Sequence, residues 1–225
     1  MERPFTFINS AMSADGKIST YERKQVRISG DIDFDRMDAL RAGSDAIMVG
    51  IGTVIADDPS LTVKSEKRRL ERKQAGLEEN PIRIVIDSKA RISPDADIFK
   101  KGEGRKIIIV SESAPSAKLR ELEDIATVIV AGEDKVDLVA SMSKIWEIGV
   151  RRLMIEGGAT LNWGMVSNGL VDEIYTFVGN LLIGGSTSPT LIDGEGFTEK
   201  EAMKLDLIEA EKMEEGVLLK WKLLP

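Results

Sequence analysis

A glutamate and two glycines, Glu156-Gly157-Gly158, stand where the apolar run Leu153-Met154-Ile155 gives way to a helix-prone stretch beginning Ala159-Thr160-Leu161. Glycines there let the chain turn sharply and let a ligand reach the backbone with no Cβ in the way. The helix that follows would aim free N–H groups and the positive end of its dipole at an anion, and a phosphate suits that cradle. Glu156, at the lip, would accept from hydroxyl groups and would repel a phosphate touching it directly. A second glycine-bearing strand end carries Gly50 and Gly52, then Thr53, placed to cap a short helix that Asp57-Asp58-Pro59 would end. A third stretch runs from Asn9 into Asp15-Gly16, a turn signal. In a fourth, Ser88 follows a β-rich run beside Lys89 and Arg91, which is ordinary surface charge or the set a ribose 2′-phosphate needs. Each piece alone also reads as a plain turn or cap. Their recurrence at strand ends matters, because the carboxyl ends of strands in an open α/β sheet form the ligand crevice.

The 225 residues contain no cysteine and no histidine, and 42% of them are apolar. Disulfides, thiolate metal sites and cysteine nucleophiles are excluded, and so are the usual neutral-pH base and the commonest zinc ligand. No metal is expected. Chemistry here falls to carboxylates, lysines, hydroxyls, backbone dipoles or a bound organic cofactor. A formal charge of -7 and a pI near 4.9 argue against nucleic acid as partner and for a small ligand. No run approaches the roughly 18 apolar residues of a membrane span, and the start MERPFTFINS lacks a signal-peptide core, so a cytoplasmic protein is expected.

The elements that must position these residues alternate along the chain. Strands are expected at 5–12, 46–52, 82–88, 106–111, 127–131, 152–156 and 173–179, and helices at 31–42, 116–124 and 159–168. The clearest helix carries Leu138, Val139, Met142, Ile145 and Trp146 as one apolar stripe, with Asp137 before it and Gly149 after it. Residues 64–80 hold ten charged side chains of both signs and read as a solvated helix or loop. The ending changes to alternation, with MKLDLIEAEK and VLLKWKLL flanking Glu215-Gly216, which predicts an antiparallel hairpin. The expected fold class is α/β: one domain over 1–225 with a mixed, mostly parallel central sheet, flanking helices and a C-terminal hairpin.

Taken together, NSAMSADGK, MVGIGTVIADDPSLTV, RIVIDS and EGGATLNWGMVSNGLVDEIY resemble the reductases of riboflavin biosynthesis, including the reductase half of bacterial RibD proteins. The resemblance implies a dihydrofolate reductase-like fold, a homodimer, and reduction of the ribosyl side chain of a 2,5-diamino-6-ribosylamino-4(3H)-pyrimidinone 5′-phosphate to the ribityl form. It implies NADPH, with NADH left open, held by Ala11, Thr53, Asp57, Ser88 and the stretch Gly157, Gly158, Ala159, Thr160 and Leu161. The same match gives Asn9, Gln25, Arg41, Leu61, Lys64 and Glu156 to the substrate, with Arg41 and Lys64 on its 5′-phosphate. Glu156 is the one candidate catalytic residue, as a positioner of sugar hydroxyls, and no proton donor is assigned.

Bacterial relatives tend to carry Lys where this chain has Asn9, and an asparagine, unlike a lysine, can accept from an exocyclic amine. Asn9 is therefore expected to favour the pyrimidine that has not been deaminated. The zinc deaminase signature of the bifunctional relatives needs His and Cys, which are missing. Rival readings are a dihydrofolate reductase-like enzyme, for which Arg41 and Lys64 would be idle, and a non-catalytic NADP-binding sensor.

Overall fold

The computed structural model describes residues 2–24 and 26–224. It is α/β, with nine strands in a mixed, mostly parallel sheet and helices in the connections between strands. The chain divides into two compact units, residues 1–5 with 38–154 and residues 6–37 with 155–225.

The first unit receives the last turns of α1 (Asp31–Ala42) and continues through β2 (Ala46–Gly50), α2 (Ile51–Asp57), α3 (Glu66–Gln74), β3 (Ile82–Ile86), α4 (Asp97–Lys100), β4 (Lys106–Val110), α5 (Ser116–Glu123), β5 (Thr127–Val130), α6 (Leu138–Glu147) and β6 (Arg152–Ile155). Its strand order is β5-β4-β3-β2-β6. The pairs β2–β3, β3–β4 and β4–β5 are parallel, in registers that set Ala46 against Ile82, Ile84 against Ile107 and Ile109 against Ile129. Ile47, Met48, Val49, Ile84, Val85, Ile108 and Ile109 are all fully buried. Their unbroken apolar runs are what a strand covered on both faces requires.

In α6 the Asp137 side chain accepts from Ala140 N at 3.0 Å, the expected cap. Met142 and Ile145 are fully buried, whereas Val139 faces solvent and Trp146 is half-buried. The stripe is narrower than expected. Trp146 instead stacks under the Arg151 guanidinium, 3.7 Å from its ring centre.

The second unit holds β1 (Phe5–Ser13), the start of α1, α7 (Ala159–Ser167), β7 (Glu173–Gly179), β8 (Leu205–Met213) and β9 (Gly216–Leu223), in the strand order β1-β7-β9-β8. β1 and β7 run parallel, while β7–β9 and β8–β9 are antiparallel. The hairpin is where alternation placed it, but its connection is Glu214-Glu215, with Glu214 left-handed at φ 51° and Gly216 already in β9. The tight turn comes one residue early because a Cβ on Gly216 would lie 2.4 Å from the Phe177 ring, so this glycine serves close packing.

Several other expected strands and helices end one or two residues sooner, while β1 runs one residue longer, and the difference matters at one place. The strand expected over 46–52 stops at Gly50, and α2 begins at Ile51 with Gly50 as its cap residue. Thr53 therefore lies inside α2 and does not cap it, because Gly50 in extended conformation (φ −79°, ψ 150°) passes the chain straight from strand to helix.

Candidate functional site

In the second unit, β6 ends and Gly157 takes φ 94°, a backbone that L side chains rarely adopt, with open space where its Cβ would be. Gly158 is the cap residue of α7, extended at φ −76° and ψ −177°, and no side chain caps the N–H groups of the first turn. Ala159 and Leu161 are buried, Thr160 is exposed, and Glu156 is half-buried. The strand end, the left-handed glycine and the helix start stand where the glycine pair predicts them.

Nothing in the residue types pointed to what borders this helix start. Residues 180–204 contain no helix or strand, yet they are pinned along their length. The Asp15 carboxylate accepts from Ile183 N at 3.0 Å and Gly184 N at 2.7 Å; with the Ser13 hydroxyl as the largest contribution, these bonds hold its pKa down at about 2. Asn162 of α7 donates to Leu191 O at 2.8 Å, and Asp193 N donates to Ala159 O at 3.2 Å. Gly194 passes so close to Trp163 that no Cβ fits there, and Phe197 packs 4.7 Å from the same indole. A long loop without regular structure, held over a helix N-terminus, is the kind that carries function.

On β1, Asn9 pairs in register with Tyr175 and Ala11 with Phe177, so Asn9 and Ala11 share one face of the strand. Asn9 is 8% exposed, and its Oδ1 accepts from Arg36 Nη2 at 2.8 Å. Arg36 is in turn paired with Asp33 at 2.7 Å, one helical turn away on α1. Neither Arg36 nor Asp33 stood out in the sequence. Gln25 lies outside the described residues.

In the first unit, α1 presents Asp38 and Arg41, three residues apart and both buried, to the loop 60–65. Asp38 accepts from Lys64 N at 2.5 Å, Ser65 N at 3.1 Å and Arg68 Nη1 at 3.0 Å. Arg41 donates to Thr62 O at 3.1 Å. Leu61, buried, takes φ 51°, which a non-glycine residue holds only when its surroundings dictate it. The loop so fixed directs Lys64 Nζ to Ser60 Oγ at 2.8 Å and Thr62 Oγ1 at 2.9 Å.

A cavity of about 380 Å³ opens beside it, lined by Thr62, Val63, Lys64, Arg69, Asn80 and Gly102 among others. Burial, then repulsion from Arg41 and Lys101, pushes the Lys64 pKa below the ordinary lysine value. Asn80 ties the cavity wall together, accepting from Val63 N at 2.9 Å and donating to Glu103 O at 2.9 Å. The stretch expected to be solvated is the helix α3, and two of its cations turn inward. Arg72 is buried on carbonyls, and Arg68 reaches Asp38.

Thr53 and Asp57 lie two and six residues into α2 from Ile51, and desolvation raises the Asp57 pKa. Ser88 Oγ accepts from Val136 N at 3.0 Å. The cations beside it already have partners, Lys89 on Ser113 Oγ at 2.7 Å and Arg91 on Asp87 at 3.4 Å.

Comparison with known proteins agrees with the motifs. The family model described as the RibD C-terminal domain matches residues 4–219. A protein of Archaeoglobus fulgidus named 2,5-diamino-6-ribosylamino-4(3H)-pyrimidinone 5′-phosphate reductase is 51% identical over 198 residues, covering 88% of this chain and 90% of that one. A protein of the same name from Methanothermobacter thermautotrophicus is 41% identical over 220 residues, covering 97% and 98%. Among solved structures, a pyrimidine reductase-like protein of Corynebacterium diphtheriae shares the fold with a TM-score of 0.84 at 19% identity, covering 99% of this chain and 92% of that one. Motifs, fold and near full-length identity converge: the chain belongs to the RibD C-terminal domain family.

Proposed function

We propose that this protein is the riboflavin-pathway reductase that converts the ribosyl side chain of 2,5-diamino-6-ribosylamino-4(3H)-pyrimidinone 5′-phosphate to ribityl, with NADPH as reductant. The observation that carries this reading is the 51% identity, over 88% of the chain, to an archaeal protein bearing that reductase name. Residues 1–225 act as a single reductase domain, a reading supported by a family match that runs through both units.

The residues present suit a dinucleotide. Gly157 leaves open space before an uncapped α7 N-terminus, where main-chain N–H groups from Gly158, Ala159, Thr160 and Leu161 would hold the pyrophosphate. Ala11, Thr53, Asp57 and Ser88 complete the proposed cofactor set. A nicotinamide held by these residues would supply the hydride for reduction of the sugar carbon C1′. The chain's own work is to position and to shield. Arg41 fixes the loop that carries Leu61 and Lys64, and the Lys64 ammonium lies within reach of a phosphate in the neighbouring cavity. Glu156 would accept from the sugar hydroxyls and orient the chain for hydride arrival, Asn9 would meet the pyrimidine, and Gln25 completes the proposed substrate set.

Loss of reduced-nicotinamide absorbance is the test, run in parallel with the ribosylamino pyrimidine phosphate and with dihydrofolate, and with NADPH against NADH. Turnover of the pyrimidine alone supports the proposal; turnover of dihydrofolate alone, or cofactor binding with no turnover, sinks it. The working form is read as a cytoplasmic homodimer, and the exposed edge strand β8, nine residues long, supports self-association. Sedimentation should then give twice 24.7 kDa.

A further inference from the structure

We infer that Arg36 is a positioning residue that fixes the hydrogen-bond polarity of Asn9, so that this side chain offers its NH2 group, and not its carbonyl, to a ring carbonyl of the pyrimidine. The inference rests on the proposed function for the identity of the ligand.

The geometry is simple. A guanidinium can only donate, so whichever amide atom faces Arg36 Nη2 must be the oxygen, and at 2.8 Å it is. Arg36 cannot swing away cheaply, because its Nε donates to Asp33 Oδ1 at 2.8 Å and the two side chains are only 17% and 7% exposed. Flipping Asn9 would set two donors against a held cation. Its Nδ2, with two N–H groups, has no protein acceptor among the described residues, although the residue is more than nine-tenths buried. Nδ2 is not among the buried side-chain atoms left without a partner, so water reaches it in the free protein and a ligand carbonyl can take that water's place.

The relatives' substrate name, a 4(3H)-pyrimidinone, carries the acceptor that such a donor fits. The residue types by themselves had suggested the reverse polarity, with Asn9 accepting from an exocyclic amine. Arg36, held by Asp33 and invisible in the sequence as a partner, occupies one lone pair of the Asn9 oxygen and leaves the NH2 end for the ligand, which favours the donor reading.

Three variants test this. Asn9→Asp keeps the acceptor and removes both donors, and should raise KM for the pyrimidine phosphate about tenfold, the loss of one hydrogen bond of ordinary strength, with KM for NADPH unmoved. Arg36→Met, which frees the amide to rotate, should raise the same KM, whereas Arg36→Lys, still a donor, should recover most of it. In an Asn9→Ala background Arg36→Met should add nothing, since its effect runs through Asn9.

If Asn9→Asp binds as well as or better than the unmodified enzyme, Asn9 is an acceptor and the inference is overturned. Equal KM for Arg36→Met and the unmodified enzyme overturns it as well. Each variant's melting temperature separates misfolding from these outcomes. A binding-independent arm follows the Asn9 side-chain amide resonances in ¹⁵N-labelled protein. Arg36→Met should shift and broaden them and Arg36→Lys should not, and unchanged resonances in Arg36→Met would overturn the positioning role. If the unmodified enzyme shows no turnover, the proposed function fails, and this arm still decides the orientation of the amide.

Discussion

Gly157 and Lys64 show how much a single residue's surroundings decide. At φ 94° Gly157 has room for a side chain but not the backbone freedom, so Gly157→Ala is strained by conformation alone. The expected cost is about 1 kcal/mol of stability, read by urea unfolding, with a higher KM for NADPH and little change for the pyrimidine. Lys64 carries a pKa lowered first by burial and then by Arg41 and Lys101. Its charged form therefore costs stability at neutral pH, and that cost fades as pH rises through the lowered pKa toward the ordinary lysine value. A bound phosphate would offset that cost by adding negative charge to that of Asp38, which already favours the ammonium. Affinity for the phosphorylated substrate should fall as pH climbs through the Lys64 pKa, at lower pH than an ordinary lysine would give. Lys64→Met should weaken that substrate about tenfold at neutral pH and flatten the alkaline limb of a KM–pH profile.

At the scale of elements, α1 and the loops around the cavity owe their placement to charged groups from distant sequence. The Glu214 carboxylate, in the β8–β9 turn, accepts from Gly30 N at 3.0 Å and Ile32 N at 2.9 Å and so caps the N-terminus of α1. Arg72 donates to Ala42 O at 2.6 Å, on the last residue of α1, and to Ser44 O at 3.0 Å, two residues beyond it. Glu214→Ala should cost about 1 kcal/mol, measured by denaturant unfolding, the usual price of a lost cap. Arg83 is the more extreme case. Fully buried on β3, it donates to Ile98 O at 3.1 Å, Lys101 O at 2.6 Å, Gly102 O at 2.9 Å and Glu103 O at 3.1 Å, so one guanidinium gathers the loop that supplies Gly102 to the cavity. Arg83→Met would strand several carbonyls and should cost on the order of 3 kcal/mol, with KM for the phosphorylated substrate rising as the loop loosens.

Across the whole molecule, the formal charge is -7, yet Lys64 and Arg69 line one cavity against the single carboxylate of Glu79, and Arg41 lies close enough to Lys64 to repel it. Local cations in a net acidic protein attract a small phosphate without drawing in a polyanion. Among the described residues no helix is long and apolar enough to cross a membrane. A chain without histidine or cysteine has neither imidazole nor thiolate to offer a transition metal, so a chelator should leave turnover unchanged. Activity lost to chelation and restored by a divalent ion would assign a metal a part that the sequence does not foresee.

Alternation, apolar runs and glycine placement were enough to read the α/β class, the order of its strands along the chain and the terminal hairpin, because burial on two faces, on one stripe or at a turn leaves a local signature in residue type. The glycine cradle at 157–158 was legible for the same reason, since its requirement is local. Tertiary structure alone decided which charges turn inward. Asp38, Arg72 and Arg83 look in sequence like any solvated charge, and they are buried only because carbonyls and amides from residues up to 30 positions away converge on them. The polarity of Asn9 belongs to the same class. An amide's two ends are interchangeable in sequence, and only Arg36, arriving from α1 on the paired Asp33, makes them different.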